Sequence, residues 1–387
     1  MSGLSYLEKL LDGAEVEWET LDKLALLRRG RVMSKGYFVD NTGDYPVYSS
    51  QTANNGMIGS INTFDFEGEF VSWTTDGANA GTVFYRTGKF SITNVCGLIN
   101  IKDSSPLNYK YLFYWLTIEA KKHVYSGMGN PKLMSHQVEK IPVPIPCPTN
   151  PEKSLAIQAE IVRILDTFTA LTNELTNELT NELKLRQKQY NYYREQLLSF
   201  EEGEVEWTEL GEIAKIKHGK DWKNLESGTV PVYGSGGVMG YVNKYSYDKP
   251  TVLIPRKGTI TNIFYVDIPF WNVDTIYYTD IATSKIIPKY FYHFMKSLNL
   301  MTLDTGSGRP SLTQAILNKL LIPIPCPDNP EKSLAIQSEI VRILDKFDTL
   351  ISSVSEGLPR EIALRKKQYE HYRNLLFSFP QPVSVEN

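Results

Sequence analysis

The tetrapeptide Asp267-Ile268-Pro269-Phe270 has the most specific chemical reading in this sequence, because amino-methyltransferases use an Asp/Asn-Pro/Ile-Pro-aromatic run to hold an extruded base. The string is short and loose, however, and no glycine-rich strand–turn–helix segment for S-adenosylmethionine precedes it. The corresponding stretch in the first half of the chain reads Arg86-Thr87-Gly88-Lys89, so no catalysis is expected from it. Other constellations are missing too: no Walker A string, no HExxH, no PD…D/ExK and no DEAD-type motif. His123, His136, His218, His293 and His371 stand singly, without ligand spacing, and read as packed or surface histidines. Cys96, Cys147 and Cys326 do not pair at metal or CxxC spacing and read as reduced structural thiols. The expectation is no catalytic residue and no metal site: the chain binds, and something else does the chemistry.

Binding chemistry is better represented. Arginine, lysine, asparagine and glutamine beside turns can neutralise phosphate or make paired hydrogen bonds to G and A edges. The candidates in the first half are Arg28, Arg29, Arg31, Lys35, Gln51, Asn79 and Lys132; in the second they are Lys217, Lys220, Lys223, Arg256, Lys257 and Arg309. Lys132 and Arg309 lie in matched glycine-rich loops, where backbone N–H groups can approach a phosphate. Tyr48 and Ser49, with Tyr233 and Ser235, belong to a shared PVYxS string that suits either base contact or a core strand. The overall charge of −3 hides a division: residues 21–140 hold 13 basic and 10 acidic side chains, and residues 208–320 hold 13 and 9. Two mildly basic blocks are thus set among neutral and acidic segments, a pattern compatible with a polyanionic ligand.

What positions these residues is an internal repeat. IPVPIPCPTNPEKSLAIQAEIVRILDTF at 141–168 recurs as LIPIPCPDNPEKSLAIQSEIVRILDKF at 321–347, and LRQKQYNYYREQLLSF at 185–200 recurs as LRKKQYEHYRNLLFSF at 364–379. GAEVEWETLDKLA at 13–25 returns as GEVEWTELGEIA at 203–214, and SGMGNPKLMS at 126–135 as TGSGRPSLTQ at 305–314. Between these frame motifs, residues 26–125 and 215–304 diverge. One frame carrying two different inserts implies one task performed on two different targets.

Each frame predicts a long helix after its IPxP run, with Asn150 and Asn329 as N-caps, Pro151 and Pro330 at the first helical position, and Glu152 and Glu331 complementing the helix dipole. Ile161, Leu165 and Phe168, overlapped by Ile164, Leu171 and Leu175, form an apolar stripe. The simplest partner for it is the equivalent stripe of Ile340, Leu344 and Phe347 with Ile343 and Leu350, in an antiparallel, coiled-coil-like pair. Residues 172–183 are TNEL three times over, and each unit adds about 6 Å of helix, close to two base-pair steps of about 3.4 Å. Gly357 and Pro359 predict a turn across 351–360. The inserts read as mixed α/β, with strands near 68–74, 82–85, 251–254 and 262–266 and closing helices over 109–122 and 290–300.

The duplicated IPxPxP–NPEKSLAIQxEIVRILD block, the YxxYRxxLLSF helix end and the tandem tetrapeptides resemble the specificity subunits of type I restriction-modification systems, over nearly the whole chain. The resemblance implies an α+β fold: two globular α/β target-recognition domains separated by two long antiparallel helices, with a pseudo-two-fold, circular organisation. Mapped here, the recognition domains are 14–150 and 204–328 and the helical spacers 151–200 and 329–379. Tyr6 to Trp18 resembles Tyr193 to Trp207, which implies adjacent termini. It also implies double-stranded DNA as ligand, with an asymmetric bipartite target. The implied partners are two methylation subunits and motor-nuclease restriction subunits, which would bind the S-adenosylmethionine, ATP and Mg. Tyr190, Tyr193, Tyr369 and Tyr372 are the candidates for docking the methylation subunits. No run of residues is apolar enough to span a bilayer, and a cytoplasmic location is expected.

Overall fold

The computed structural model describes residues 6–126, 129–201, 203–306 and 308–380. The chain divides into two compact units: unit 1 comprises Met1–Thr176 and Arg360–Asn387, and unit 2 comprises Asn177–Pro359. Each unit therefore holds one insert, the start of one long helix and the end of the other.

Unit 1 begins with α1 (Tyr6–Leu11), β1 (Val16–Thr20), α2 (Leu21–Leu24), β2 (Ala25–Arg29) and α3 (Lys35–Asp40). The strands β3 (Tyr45–Tyr48), β4 (Met57–Ile61), β5 (Phe66–Thr74), β6 (Val83–Ile92) and β7 (Cys96–Ile101) follow. They build one six-stranded sheet in the order β2-β7-β5-β6-β3-β4. Next come α4 (Tyr109–Glu119), α5 (Ser135–Val138) and β8 (Pro142–Pro146), with β8 antiparallel to β1. Alternate side chains of a strand face opposite ways, and the inner half of β5 is covered on both faces: Val71 and Trp73 pack with Tyr111, Leu112 and Trp115 of α4, while Ser72 meets Arg86 beneath the other face.

Unit 2 repeats this plan with one break. Its elements are β9 (Val205–Glu209), α7 (Leu210–Ile213), β10 (Ala214–His218), β11 (Ser227–Gly234), β12 (Gly237–Val242), β13 (Thr251–Pro255), β14 (Phe264–Val266), β15 (Trp271–Asn272) and β16 (Ile276–Ile281). The unit continues with α8 (Pro288–Ser297), α9 (Gln314–Asn318) and β17 (Leu321–Pro325), which pairs with β9. The sheet order is β10-β16-β13-β14, with a separate β12-β11-β15. The single strand β6 of unit 1 corresponds to β14 and β15 here, since β3 pairs in parallel with the end of β6 as β11 does with β15. The interruption is the Asp267–Phe270 string itself: Pro269 has no N–H to offer a ladder, and Phe270 is buried among Leu253, Val266 and Ile276. A ring buried this way is a core residue and not a clamp for an extruded base.

The long helices are α6 (Pro151–Leu197) and α10 (Pro330–Leu376). Both start as expected, with the Asn150 and Asn329 side chains each accepting from the backbone N–H three residues on, at 3.0 Å. Cys147 and Cys326 take matching left-handed conformations, φ 53° and 47°, in the turns that lead in. Two expectations are corrected. The 351–360 segment is helix and not a turn. Pro359 removes one hydrogen bond at a cost of about 3 kcal/mol, but Ile351 packs into the core of unit 2 and Tyr369 and Leu376 into that of unit 1, and packing on both sides outweighs the break. The buried residues of each apolar stripe, moreover, pack against the insert of their own unit. Ile161 and Leu165 pack beneath the insert of unit 1 with Leu376 and Phe377, and Ile340 and Leu344 beneath that of unit 2 with Tyr190 and Leu198. Within each unit the helix segments meet start against end: Phe168 stacks on Tyr372 and Phe347 on Tyr193, with centroids 5.1 Å apart in both. Such aromatic pairs add about 0.5–1.5 kcal/mol beyond burial. The expected adjacency of the termini is met in unit 1, where Leu7 and Leu11 share a core with Leu376 and Phe379, and Trp18 Nε1 donates to the Pro380 carbonyl at 2.8 Å.

Candidate nucleic-acid interface

Four segments converge in each unit, and the same backbone contacts hold them. Gly30 follows β2 and Gly219 follows β10; a Cβ on Gly30 would sit 2.1 Å from the Ile92 carbonyl oxygen, and one on Gly219 would sit 2.1 Å from that of Val273. No side chain fits such an approach, so glycine lets the first segment cross the end of β6 or β15. The second segment follows PVYxS: Asn79 Nδ2 donates to the Ser50 carbonyl at 2.9 Å, and Asn262 Nδ2 to that of Ser235 at 3.2 Å. The third and fourth segments are tied by Gly77 N–H to Pro131 O and Leu133 N–H to Thr75 O, repeated as Gly258 to Pro310 and Leu312 to Arg256. Backbone bridges complete the tie, Asp76 with Lys132 and Lys257 with Ser311. Gly127, Met128 and Ser307 of the glycine-rich loops lie outside the described residues.

The candidates divide on this frame. Ser49, Gln51, Asn79 and Lys132 come together in unit 1, as do Tyr233, Ser235, Arg256, Lys257 and Arg309 in unit 2. Their roles differ. Asn79 is spent on the frame, and Gln51 Nε2 donates to the Met57 carbonyl within its own loop. Tyr48 and Tyr233 are half-buried against Phe90 and Phe270 respectively, so the PVYxS tyrosines serve the core. Arg28 and Arg29 stand exposed at the end of β2, Arg29 donating to the Asn94 carbonyl at 2.9 Å. Arg31 is ion-paired with Asp65 at 3.0 Å and lies over the Tyr37 ring, which occupies its charge locally. Lys35 is exposed at the start of α3, and Lys217, Lys220 and Lys223 are exposed along β10 and the loop after it.

Sequence reasoning missed three participants. His218 takes the place of Arg29 beside the matched glycine and lies 3.3 Å from Gln314 Oε1. Asn262 repeats the bond of Asn79 from a different offset, which no alignment by eye reveals. Arg86 is 2% exposed; it donates to Ser72 Oγ and the Asn55 carbonyl and sits 3.6 Å from the Tyr48 ring centroid. Burial pushes its guanidinium pKa down to about 10. It props the turn in which Asn54 and Asn55 are both left-handed, next to Gln51.

Below the loops, the frame motifs grip the inserts. Gln158 and Gln337 are fully buried; their Oε1 atoms accept from Asn108 N–H and Ile287 N–H, each at 2.8 Å, and their Nε2 atoms donate to the carbonyls of Pro106 and Lys285. About two turns further on, Asp166 accepts from Lys110 and Tyr114, both at 2.6 Å, and Asp345 pairs with Lys289 at 2.6 Å and His293 at 3.0 Å. The strongly repeated NPEKSLAIQ…ILD string thus clamps α4 and α8, and the inserts vary above a constant mount.

The family model for the type I restriction modification DNA specificity domain matches this chain twice, over residues 15–185 and 202–364, one match for each copy of the frame. The chain belongs to the type I DNA specificity family. The specificity subunit of the Escherichia coli type I restriction enzyme EcoR124I/EcoR124II is 37% identical, over 100% of both chains. A putative type I specificity subunit of Haemophilus influenzae is 35% identical over 97% of this chain and 98% of its own. Among solved structures, the type I S subunit of M. genitalium covers 96% of this chain and 98% of its own at a TM-score of 0.51 and 20% identity. A chain from a study of complex assembly in the type I R-M system covers 94% of this chain and 96% of its own at 0.66 and 12%. These structures share the fold. As a type I specificity subunit, the chain supplies recognition and not catalysis. Among the described residues, no helix is long and apolar enough to cross a membrane.

The tyrosines proposed for docking are not equivalent in this specificity subunit. Tyr190 is buried and 3.4 Å from His293 Nδ1, whereas Tyr369 is half-buried against the core of unit 1. Tyr193 and Tyr372 remain 40% and 38% exposed above their stacking partners. Tyr372 also lines an apolar cavity of about 450 Å³ with Tyr6, Ile164, Phe168 and Leu375.

Proposed function

We propose that this specificity subunit reads an asymmetric, bipartite sequence in double-stranded DNA, one half with each unit. It then directs adenine methylation and ATP-dependent cleavage by partner subunits. The observation that carries this reading is the pairing of one backbone frame with two different sets of side chains: Arg29, Gln51, Asp76 and Lys132 in unit 1 stand where His218, Gly236, Lys257 and Ser311 stand in unit 2. A palindromic target would call for two equal sets. The loops present donors and acceptors of the kind that discriminate base edges, beside cations that meet the backbone.

In this reading two methylation subunits dock on the helical parts, with Tyr193, Tyr372 and the apolar cavity beside Tyr372 as the surfaces available to them. Motor-nuclease subunits join them in the cytoplasm. S-adenosylmethionine, ATP and Mg belong to those partners and not to this chain. Methylome sequencing of cells expressing the chain with cognate methylation subunits, against cells lacking it, is the test. A new split motif methylated on adenine in both halves is the expected result; a stable complex that adds no motif overturns the reading.

A further inference from the structure

The tie between the third and fourth segments has the same backbone in both units and opposite chemistry. In unit 1 the bridged residues are Asp76 and Lys132, whose carboxylate and ammonium lie 4.0 Å apart, and Thr75 Oγ1 donates to the same carboxylate at 2.7 Å. In unit 2 the bridged residues are Lys257 and Ser311. Lys257 is exposed, as is Arg309 two residues before Ser311, and neither forms an ion pair among the described residues. Asp304, on the same loop, accepts at its Oδ1 from the N–H groups of Gly306 and Ser311 at 2.8 and 2.7 Å, which pulls its carboxyl pKa below the usual range. Arg256, the neighbour of Lys257, donates to the backbone oxygen of Asp274 at 3.4 Å and lies against the Tyr277 hydroxyl.

We propose that this bridge is a phosphodiester-binding site in unit 2 and is not one in unit 1. The inference rests on the DNA-recognition reading and assigns one of its contacts. In unit 1, a DNA phosphate brought to Lys132 would also meet the carboxylate of Asp76, and the ammonium is already shared. In unit 2 the same place offers Lys257 and Arg309 from two facing loops, each with its charge open to a phosphate of the DNA backbone. The second unit therefore holds the DNA backbone here, and the first leaves this position to Asp76, an acceptor suited to the amino group of a cytosine or adenine edge.

A phosphate contact is independent of base sequence, so the test needs no knowledge of the target. The affinity of the full chain, alone and with methylation subunits, is measured for a fluorescent duplex of about 40 base pairs as a function of salt; each phosphate neutralised contributes about 0.9 to the slope of log K against log salt. Lys257→Ala and Arg309→Ala should each lower the slope by about 0.9, Lys132→Ala should leave it unchanged, and Asp76→Asn should raise it by freeing Lys132. The double variant Lys257→Asp, Ser311→Lys, which copies unit 1 into unit 2, should behave as Lys257→Ala. Circular dichroism of each variant separates unfolding from loss of contact. Equal slope losses for Lys132→Ala and Lys257→Ala, or no loss for either unit 2 variant, overturn the assignment. A wild-type chain with no salt-dependent DNA affinity overturns the DNA-recognition reading instead.

Discussion

Replacing one ring in an otherwise repeated clamp should make unit 2 sensitive to acid where unit 1 is not. Tyr114 and His293 occupy the same place, each bonded to the aspartate of the long helix beneath. His293 is fully buried, facing Asp345 on Nε2 and, on Nδ1, Tyr190 at 3.4 Å and Asp348 at 3.9 Å, with Lys289 sharing Asp345 and Tyr292 packed alongside. Burial is the largest influence and lowers its pKa below the ordinary imidazole value, against the pull of Asp345. A group whose folded pKa is depressed contributes stability above its unfolded pKa and loses it as pH falls. At pH 5.5 an unfolded histidine is protonated about ten to one, so a ring kept neutral in the fold costs unit 2 up to about 1.4 kcal/mol relative to pH 7.5. Asp345, where burial acts upward but hydrogen bonds from Lys289 and His293 hold the carboxyl below the usual range, adds a loss of the same sign only below about pH 4. Hydrogen–deuterium exchange at pH 7.5 and 5.5, corrected for intrinsic rates, should show the opening free energy of α8 falling toward that limit while that of α4 holds. His293→Tyr should abolish the difference, whatever it costs in packing. Equal decline in α4 and α8, or decline that persists in His293→Tyr, refutes the reasoning.

Other expectations follow from the same contacts. Gln337→Ala leaves the Ile287 N–H and the Lys285 carbonyl buried without their partner and should destabilise unit 2 by about 2 kcal/mol or more, visible in urea unfolding, with Gln158→Ala doing the same to unit 1. Gly30→Ala forces a methyl onto the Ile92 and Thr93 carbonyls and should abolish recognition of one half-site, while Gly219→Ala abolishes the other; methylome motifs that lose both halves in either variant would contradict the division of labour. Adding one TNEL unit lengthens α6 by about 6 Å and should widen the unspecified gap between half-sites without altering their bases, again read from the methylome.

What the sequence determined by itself is what repeats. The two frames, the N-caps at Asn150 and Asn329, the helical reading of the TNEL run and the α+β class all follow from local patterns, because capping, periodicity and duplication are written in neighbouring residues. The rest depended on which distant segments meet. The helix stripes look alike, and only the fold shows that each faces its own insert, since antiparallel segments bring the start of one helix to the end of the other. Pro359 reads as a break from its own chemistry, and packing on either side decides otherwise. His218, Asn262 and Arg86 carry no local signal; they matter because Gly219, the Ser235 carbonyl and the Tyr48 ring arrive beside them from elsewhere in the chain. A recognition surface built from four loops is a property of their convergence, and sequence spacing does not encode convergence when the loops between are free to change length.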